Sequence, residues 1–527
     1  MSVTLIEPSG RVGGMTAGGL GHTDLGMSGR ELGGITREFY QRVSAHYGSG
    51  GGGGNGTEAA QCYMVEPKVA TAVYGAMLAE ANVTVLLGHQ LLAARKERPA
   101  DPARITTLLL SAAAAGKAAA TVEVAAEVFI DAGYEGDLLA AAGVDYTVGR
   151  EARDEYGEAD AGRPAPNQVL SKYQFQQRLN HTTADGRPLP LIYTGPVAAV
   201  GAADAKVQAY TYRPCMTRLA GGNAVPLPKP RAYDPDRWEL FRRLLASEPD
   251  ATLADFIYFA GPLGNSTNGP GGKYDAGTSG AISMDVIGAS WGYPDADADE
   301  RARIVDDHVE YILGFWHFLA TDPAVPDAVG REMRGWGLCA DEFAGEEPAH
   351  FPRSALYVRE ARRMRGAVVV TEQDRVANTS KADSVGLGSY NCDCHMAERI
   401  IAPPIGDQRT TPVAPAWVLN EGWLPREFAH TAWELPYAMM VPPRAQATNL
   451  LVPVAVSASH VAFNGIRLEP TWSVLGHAAG TAAAMAAAAG GGVAAVDVPA
   501  LQARLLAAGQ IIRKADVPQK SPAVWCG

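Results

Sequence analysis

Apolar residues along the chain follow patterns that predict both strands and helices. Residues 3–7 are an apolar run that ends on a glutamate, which is typical of a buried strand. Residues 104–110 and 121–130 are strand-like and flank an alanine-rich loop, which predicts a hairpin. Apolar side chains recur at helical spacing in residues 29–47 and 299–322, and we predict a helix in each.

The composition of the segments divides the chain into an outer part and an inserted part. Short apolar strands and glycine-rich turns occur near both ends, whereas proline, tryptophan, tyrosine and charged residues are more frequent in the middle. This pattern predicts a nucleotide-binding domain that is interrupted by a second domain. We expect a first nucleotide-binding part at 1–150 with a flexible glycine-rich insert at 48–56, an inserted substrate domain at 165–440, a closing nucleotide-binding part at 445–490, and a C-terminal helix and tail at 491–527.

Charge and hydropathy narrow the range of partners. The 527 residues carry a formal net charge of −12, which argues against an electrostatic nucleic-acid interface. No stretch offers the roughly 18 consecutive uncharged apolar residues of a membrane-spanning helix, so we expect a soluble protein. Met1 leads directly into the first predicted strand, and no signal peptide is visible. The sequence does not indicate the cellular compartment.

The cysteines do not indicate a metal site. Six are present, and none forms a Cys-x-x-Cys motif. Cys392 and Cys394 are separated by a single residue, a spacing that does not suit zinc or an iron–sulfur cluster. A large chain with few cysteines also argues against a disulfide framework. We therefore predict neither a metal site nor a disulfide framework.

An acid and two glycines after the first strand suggest a nucleotide cofactor. Glu7 lies where a dinucleotide-binding fold places the carboxylate that accepts hydrogen bonds from ribose hydroxyls. Gly13 and Gly14 follow six residues later, and glycine permits positive φ and a close approach of backbone to a ligand. We include the adjacent Met15 in this predicted cofactor site. The alternative is a solvated glutamate at the end of a strand.

A second segment of this kind spans residues 129–137. Asp131 ends a predicted strand, Gly133 follows in the turn, and Asp137 opens the next helix. Glycines there would let backbone amides approach a phosphate or ribitol group at the start of a helix. The alternative is an ordinary strand–turn–helix connection.

The third segment, residues 457–487, carries a cation followed by a helix of small residues. Arg467 could face a pyrophosphate or the electron-rich edge of a flavin, with Glu469 beside it near the start of the helix. Gly476 and Gly480, together with neighbouring alanines, form a small face that predicts tight backbone packing. The alternative is a helix that only fills the core.

Several stretches together resemble a known family. They are "IEPSGRVGGMTAGGLGHTD", "GGITREFY", "FIDAGYEGDLLAAAGVDYTVGRE", "VQAYTYRPCMT", "LYVREARRMRG", "VGLGSYNCDCH" and "RLEPTWSVLGHAAGTAAA". In this order they resemble the FAD-dependent oxidoreductases that include heterodisulfide reductase A-like flavoproteins. The resemblance implies FAD as cofactor and an α/β fold, with a Rossmann-like domain of the glutathione-reductase type and a large inserted α+β substrate domain.

The chain departs from this family before Glu7. Such proteins carry a first strand and a Gly-x-Gly-x-x-Gly loop roughly 25–30 residues before the ribose acid, and neither stands there in this sequence. We therefore expect a nucleotide-binding domain that is incomplete at its N-terminus, as in a gene fragment. We also expect the chain as written to bind FAD poorly.

The inserted part holds two groups of candidate substrate contacts. Tyr210 and Arg213 lie close together in an extended run, and we predict that Tyr210 binds substrate and that Arg213 takes part in catalysis. Arg359 and Arg362 are three residues apart, which would place them on one face of a helix where they could bind an anionic substrate. The alternative for this pair is a solvated or salt-bridged surface.

Two histidines are candidate proton acceptors. His395 follows Asp393 closely, and a histidine there could take a proton while a flavin accepts a hydride, with Asp393 in contact with substrate. His460 precedes Arg467 and could lie near the flavin ring. For both histidines the alternative is a purely structural role.

These observations predict a flavoprotein oxidoreductase that transfers electrons, as hydride, from an organic substrate to FAD. The arginine pair favours an anionic substrate, and the electron acceptor is open. One alternative is a catalytically silent remnant that keeps the fold without FAD binding. Another is a heterodisulfide-reductase-like electron carrier that works with an iron–sulfur partner, although this chain lacks a cysteine motif for a cluster.

Overall fold

A computed structural model of the protein describes residues 2–27, 29–48, 63–96, 103–112, 120–165, 172–264, 266, 271–402, 417–424 and 431–519. Most of the glycine-rich insert predicted at 48–56 lies outside these residues, as do Cys62, Cys526 and the end of the predicted tail. The described residues form both helices and strands.

The helices confirm the two segments that showed helical spacing, with shifted ends. None of the helices in the described part of the chain is long and apolar enough to cross a membrane. The longest begins after Asp297, whose carboxylate caps it by accepting from the backbone N–H of Glu300 at 2.8 Å. The helices are α1 Gly14–Ala17, α2 Gly34–His46, α3 Pro67–Glu80, α4 Asp137–Ala141, α5 Arg153–Tyr156, α6 Glu239–Ser247, α7 Ala298–Thr321, α8 Asp327–Arg334, α9 Glu372–Ala377, α10 His460–Phe463, α11 Glu469–Ala489 and α12 Val498–Ala507.

The strands are mostly short. In chain order they are β1 Thr4–Glu7, β2 Thr84–Leu87, β3 His89–Lys96, β4 Ile105–Ala112, β5 Ala120–Ala125, β6 Phe129–Ile130, β7 Tyr146–Thr147, β8 Cys215–Arg218, β9 Ala224–Pro226, β10 Ile257–Ala260, β11 Lys273–Thr278, β12 Trp336–Cys339, β13 Arg363–Met364, β14 Ser384–Gly388, β15 Glu398–Ala402, β16 Trp417–Glu421, β17 Trp433–Pro436 and β18 Leu450–Leu451. They form small sheets, of which β10-β11-β8-β12-β9 is the largest described.

Parallel pairing joins segments that are far apart in sequence. β1 pairs with β2, and β6 pairs with β18, so a strand of the N-terminal third lies beside one near the C-terminus. α11 follows β18 and packs on β14 and α2. The segments predicted to share a nucleotide-binding domain therefore make direct contact, while the boundaries of that domain remain a proposal.

The predicted hairpin is part of a larger antiparallel sheet. β4 pairs with β5 as the two apolar runs indicate, and β3 adds a third strand on the other side of β4. The end of the second run is separate, because β6 leaves the hairpin and pairs with β18 instead. Ile105, Leu108 and Leu110 of β4 are buried, and this explains the apolar character of that strand.

The middle of the chain is built around the five-stranded sheet and α7. Aromatic side chains of α6 and α7 fill its core, and the rings of Phe241 and Phe315 stack with centroids 5.6 Å apart. Cys215 and Cys339 form a disulfide between the neighbouring strands β8 and β12. The sequence did not indicate this bond, because the two cysteines are 124 residues apart and only the pairing of the strands brings them together.

The helix expected around Arg359 and Arg362 is absent, and that prediction is wrong. Residues 351–362 form turns and extended chain that lead into β13. The backbone of Tyr357 donates to Thr211 at 2.9 Å, and β13 pairs with β7. Hydrogen bonds to other segments therefore replace the helical ones, and the two arginines point to different partners.

Candidate active site

The three segments predicted to contact a cofactor meet at one point. The backbone N–H of Met15 donates to the hydroxyl of Tyr134 at 3.0 Å, and that hydroxyl donates to Glu469 at 3.4 Å. Gly14 has a φ of +52°, and a Cβ there would lie 2.6 Å from the tyrosine oxygen. Only glycine therefore allows this close approach.

A narrow cavity lies where these segments join. Two arginines that line this cavity each carry a buried guanidinium nitrogen without a hydrogen-bond partner among the described residues, Nη1 of Arg467 and Nε of Arg359. A buried N–H without a partner is costly, so such donors indicate that the site accommodates an acceptor. The lining residues include Tyr134, Tyr357, Arg359, Phe463, Arg467 and Glu469.

A chain of ion pairs runs from this cavity to a partly exposed histidine. Nη2 of Arg467 lies 2.9 Å from Asp393, whose other oxygen lies 3.6 Å from Nε2 of His395. On its other side, Nδ1 of His395 lies 2.7 Å from Asp285, and Asp285 also pairs with Arg359 at 2.7 Å. The structure thus brings four of the sequence-predicted residues together and adds Asp285.

The two carboxylates beside His395 are held in their charged form. Burial by itself raises the pKa of Asp285, but Arg359 and His395 hold it below the usual range. Arg467 and His395 likewise hold the pKa of Asp393 below its usual range, against the effect of burial. Because an ionised Asp285 can only accept, the hydrogen between the two groups belongs to Nδ1 of His395, and Nε2 is the nitrogen that faces Asp393.

A further carboxyl group, which was not singled out in the sequence, lies near Asp393. Asp24 accepts a hydrogen bond from the hydroxyl of Tyr390 at 3.2 Å. Burial raises the pKa of Asp24 above its usual range, and the negative charge of Asp393 raises it further. Asp24 and Asp393 are therefore close enough to repel each other, although they are far apart in sequence.

Arg213 holds the loop that carries Asp24. Its Nε and Nη2 each lie 2.7 Å from an oxygen of Asp275, a bidentate pair. Asp275 also accepts from the backbone N–H groups of Gly21 and His22 at 3.1 and 3.3 Å. Sequence analysis missed Asp275. The signal was indirect, because a buried arginine requires a carboxylate partner but does not say which one.

His460 and Tyr210 lie on the buried side of the same region. Nδ1 of His460 lies 2.8 Å from Glu360, which also pairs with the buried Arg363. The hydroxyl of Tyr210 donates to the backbone carbonyl of Glu360 at 2.5 Å, and Tyr210 is 0% exposed. The structure therefore places Tyr210 in the core, while His460 lies close to the cavity with little solvent contact.

Arg362 and Asp137 lie apart from His395. Arg362 pairs with Asp137 at 2.7 Å and with Asp295 at 2.9 Å, and Asp137 also pairs with Arg301 at 2.7 Å. This network links the start of α4 to the loop before α7. The guanidinium of Arg362 thus already faces two carboxylates, and its predicted role in binding an anionic substrate stays a prediction.

Asp131 and Gly133 form the turn between β6 and α4. The Asp131 side chain accepts from the backbone N–H of Leu139 at 2.8 Å and of Gly133 at 3.2 Å. Burial raises the pKa of Asp131 to about 6. In this structure Asp131 stabilises the turn, and any contact with a cofactor stays a prediction.

The remaining predicted cofactor residues lie on two other segments. One oxygen of Glu7 accepts from the backbone N–H of Ser9 at 2.8 Å. The expected tight packing at Gly476 and Gly480 is wrong for the described residues, because a Cβ at either position would meet nothing within 4 Å. These glycines instead leave open space along one face of α11.

Three carboxylates elsewhere come close enough together to hold a metal ion. They belong to Glu66, Asp341 and Glu342. The ammonium group of Lys273 lies 2.5 Å from Glu66 and 2.7 Å from Asp341, so a protein cation already offsets part of the negative charge of this cluster.

Comparison with known proteins identifies the family. The family described as FAD dependent oxidoreductase matches residues 1–505. The chain belongs to the FAD-dependent oxidoreductase family. This confirms the predicted cofactor, FAD, and implies a Rossmann-like α/β fold for the FAD-binding part. Neither the curated proteins nor the solved structures include a significant match to the chain.

The donors at the cavity suit such a cofactor. A flavin presents an electron-rich edge of ring nitrogen and carbonyl oxygen, which would accept from the buried N–H groups of Arg467 and Arg359. Glu7 has a second carboxylate oxygen that could accept from a ribose hydroxyl, in addition to the one bonded to Ser9. The side chains of this FAD-dependent oxidoreductase thus fit FAD, whereas the contacts of each residue with it and the poor binding expected from the sequence stay predictions.

Proposed function

We propose that the protein oxidises a small organic substrate at a carbon that carries a hydroxyl or amino group, with His395 as the proton acceptor. The observation that supports this is the arrangement of the histidine. Its Nδ1 edge is held by Asp285 at 2.7 Å, while 18% of its side chain remains exposed. When bound, FAD accepts two electrons from such a substrate as a hydride.

The surroundings of His395 suit the uptake of a proton at Nε2. Asp285 fixes the ring orientation and the tautomer, as a buried carboxylate does for a general base. After uptake, the imidazolium would lie between Asp285 and Asp393, which are both ionised. Two neighbouring negative charges stabilise the cation and so favour the transfer.

Arg467 would connect the cofactor to the proton acceptor. Its Nη2 pairs with the carboxylate of Asp393 and its Nε donates to the Asp393 backbone carbonyl at 2.9 Å, while Nη1 is a buried donor without a partner among the described residues. We assign Nη1 to the electron-rich edge of the flavin, where a cation stabilises added negative charge. The side chain would therefore orient the cofactor and keep Asp393 ionised at the same time.

The test is anaerobic reduction of the FAD-loaded protein by a panel of small alcohols and amines, followed by loss of the flavin absorption band. We expect at least one member to reduce the flavin, and His395→Gln to slow this step by about a hundredfold or more. His46→Gln is the matched control, because His46 is exposed at the end of α2. Equal rates in His395→Gln and in the parent protein would overturn the proposal. The proposal would also be overturned if dithionite reduced the bound flavin but no member of the panel did.

A further inference from the structure

The charges around His395 are balanced pair by pair. Asp393 lies 2.9 Å from Arg467, and Asp285 lies 2.7 Å from Arg359. The third arginine of this region, Arg213, forms a bidentate pair with a carboxylate of β11. With Nη1 of Arg467 and Nε of Arg359 facing the flavin, as proposed above, an anionic substrate would have to displace one of these carboxylates from its arginine. The arrangement therefore disfavours an anionic substrate, contrary to what the sequence suggested.

A substrate that carries an ammonium group is disfavoured as well. The guanidinium charges of Arg213 and Arg467 lie close to the accessible carboxyl groups and repel a second cation. Asp393 already has a cation as partner. The pKa of Asp24 is raised by burial and by Asp393, so this group has a reduced tendency to ionise. The region thus offers paired charges and neutral polar groups.

The accessible polar groups include both donors and acceptors of hydrogen bonds. His395 and Asp393 keep 18% and 19% of their side-chain surface exposed. Asp24 and Tyr390 are also partly exposed and are bonded to each other at 3.2 Å. A hydroxyl group both donates and accepts, so several hydroxyls on one molecule can satisfy such a mixed set.

Two aromatic rings lie beside these polar groups. The rings of Tyr173 and Trp423 stack with centroids 5.5 Å apart and planes 20° from parallel. Trp423 packs on the cluster that contains Cys394, and the backbone N–H of the next residue, Leu424, donates to Sγ of Cys394 at 3.3 Å, so the pair lies beside the segment that carries Asp393 and His395. Burial raises the pKa of Tyr173 to about 12, and the negative charges of Asp285 and Asp393 raise it further. An aromatic surface next to hydrogen-bonding groups suits a ring compound that has apolar C–H faces and hydroxyl edges.

We infer that the substrate is a neutral carbohydrate, oxidised at a secondary alcohol. This inference rests on the proposed function, because it names the substrate of that site. In the step, the C–H bond of one carbon and the O–H bond of the hydroxyl group on that carbon break, and the C–O bond becomes C=O. The hydride, with both electrons, goes to FAD, and the hydroxyl proton goes to Nε2 of His395. The carbohydrate is oxidised and FAD is reduced.

The test compares matched carbohydrates on the FAD-loaded protein under anaerobic conditions. Each set contains a neutral sugar, its uronic acid and its amino sugar, such as glucose, glucuronic acid and glucosamine, with corresponding sets for galactose and mannose. We expect a neutral member to reduce the flavin with a kcat/KM at least about tenfold above both of its charged counterparts. A charged counterpart that is as fast or faster would overturn the inference.

The aromatic pair gives an independent test. Tyr173→Leu should raise KM for the neutral sugar about tenfold, because the stacking surface is lost. Tyr233→Leu is the control, since Tyr233 is half-buried and contacts His317 of α7 instead. An unchanged KM in Tyr173→Leu would contradict the assigned binding surface.

Failure of this inference can be told apart from failure of the proposed function. If only non-carbohydrate alcohols or amines reduce the flavin, and this reduction requires His395, the carbohydrate assignment is contradicted while the proposed function is supported. If a neutral sugar reduces the flavin in His395→Gln as fast as in the parent protein, the substrate class is supported and the role of His395 as proton acceptor is contradicted.

Discussion

His395 and Asp285 are 110 residues apart in sequence, and their side chains meet across 2.7 Å between Nδ1 and Oδ2. The other oxygen of Asp285 pairs with the buried Arg359. One carboxylate therefore orients the candidate proton acceptor and neutralises a buried cation. This double role predicts that its loss affects both catalysis and stability.

Asp285→Asn should slow flavin reduction by the fastest panel substrate about a hundredfold, because the amide no longer stabilises an imidazolium. It should also lower the thermal midpoint, since a buried arginine left without its counterion costs about 3–5 kcal/mol. Asp285→Glu keeps the charge and should recover part of the rate. If the rate of the Asn variant equals that of the parent, Asp285 has no positioning role.

Arg467→Ala should weaken FAD binding by about ten- to hundredfold, because hydrogen bonds of a charged donor contribute about 1.5–3 kcal/mol. The dissociation constant can be measured from the fluorescence of flavin released on dilution. Arg187→Ala is the control, since this arginine is 78% exposed and pairs only with Asp185 among the described residues. Unchanged FAD affinity in Arg467→Ala would show that the side chain serves the protein structure alone.

Two glycine variants should change stability in opposite directions. Gly14→Ala places a Cβ 2.6 Å from the Tyr134 oxygen at a φ of +52°, so we expect a loss of about 1–2 kcal/mol. Gly476→Ala adds a methyl group in open space within α11 and should stabilise the apoprotein by about 0.5–1 kcal/mol. Thermal midpoints of the apoproteins test both values. Equal midpoints for the two variants would contradict the described turn.

The burial of His308 predicts that the folded protein loses stability at mildly acidic pH. It is fully buried in α7, with Nδ1 2.7 Å from the carbonyl of Ile304, and burial lowers its pKa to about 4. As pH falls from about 6.5 to about 4, the unfolded chain takes up a proton that the folded protein does not, so stability decreases. Between about pH 7 and pH 5 this contributes a loss of about 2 kcal/mol.

His308→Gln should remove this contribution, so its thermal midpoint should fall less between those two pH values than that of the parent protein. The exposed His46→Gln should leave the pH dependence unchanged. The same pH dependence in all three proteins would mean that His308 can take up a proton within the folded state.

Local patterns were sufficient for much of the secondary structure. The helical spacing of apolar residues predicted α2 and α7, and the two apolar runs predicted the pairing of β4 with β5. The helix predicted from the spacing of Arg359 and Arg362 is wrong, because hydrogen bonds to other segments keep that stretch extended. The spacing of residues indicates which secondary structure a segment prefers, whereas its contacts with other segments determine the structure that it adopts.

The family, the cofactor and the three segments that meet near Tyr134 could be recognised from the amino-acid sequence, because each is marked by short runs of neighbouring residues. Which charges pair around His395 depends instead on tertiary contacts. Asp24 and Asp285 lie in separate loops and Asp275 lies in β11, and nothing near them in sequence marks their partners. A buried arginine requires a carboxylate, but which carboxylate it meets depends on how distant segments pack.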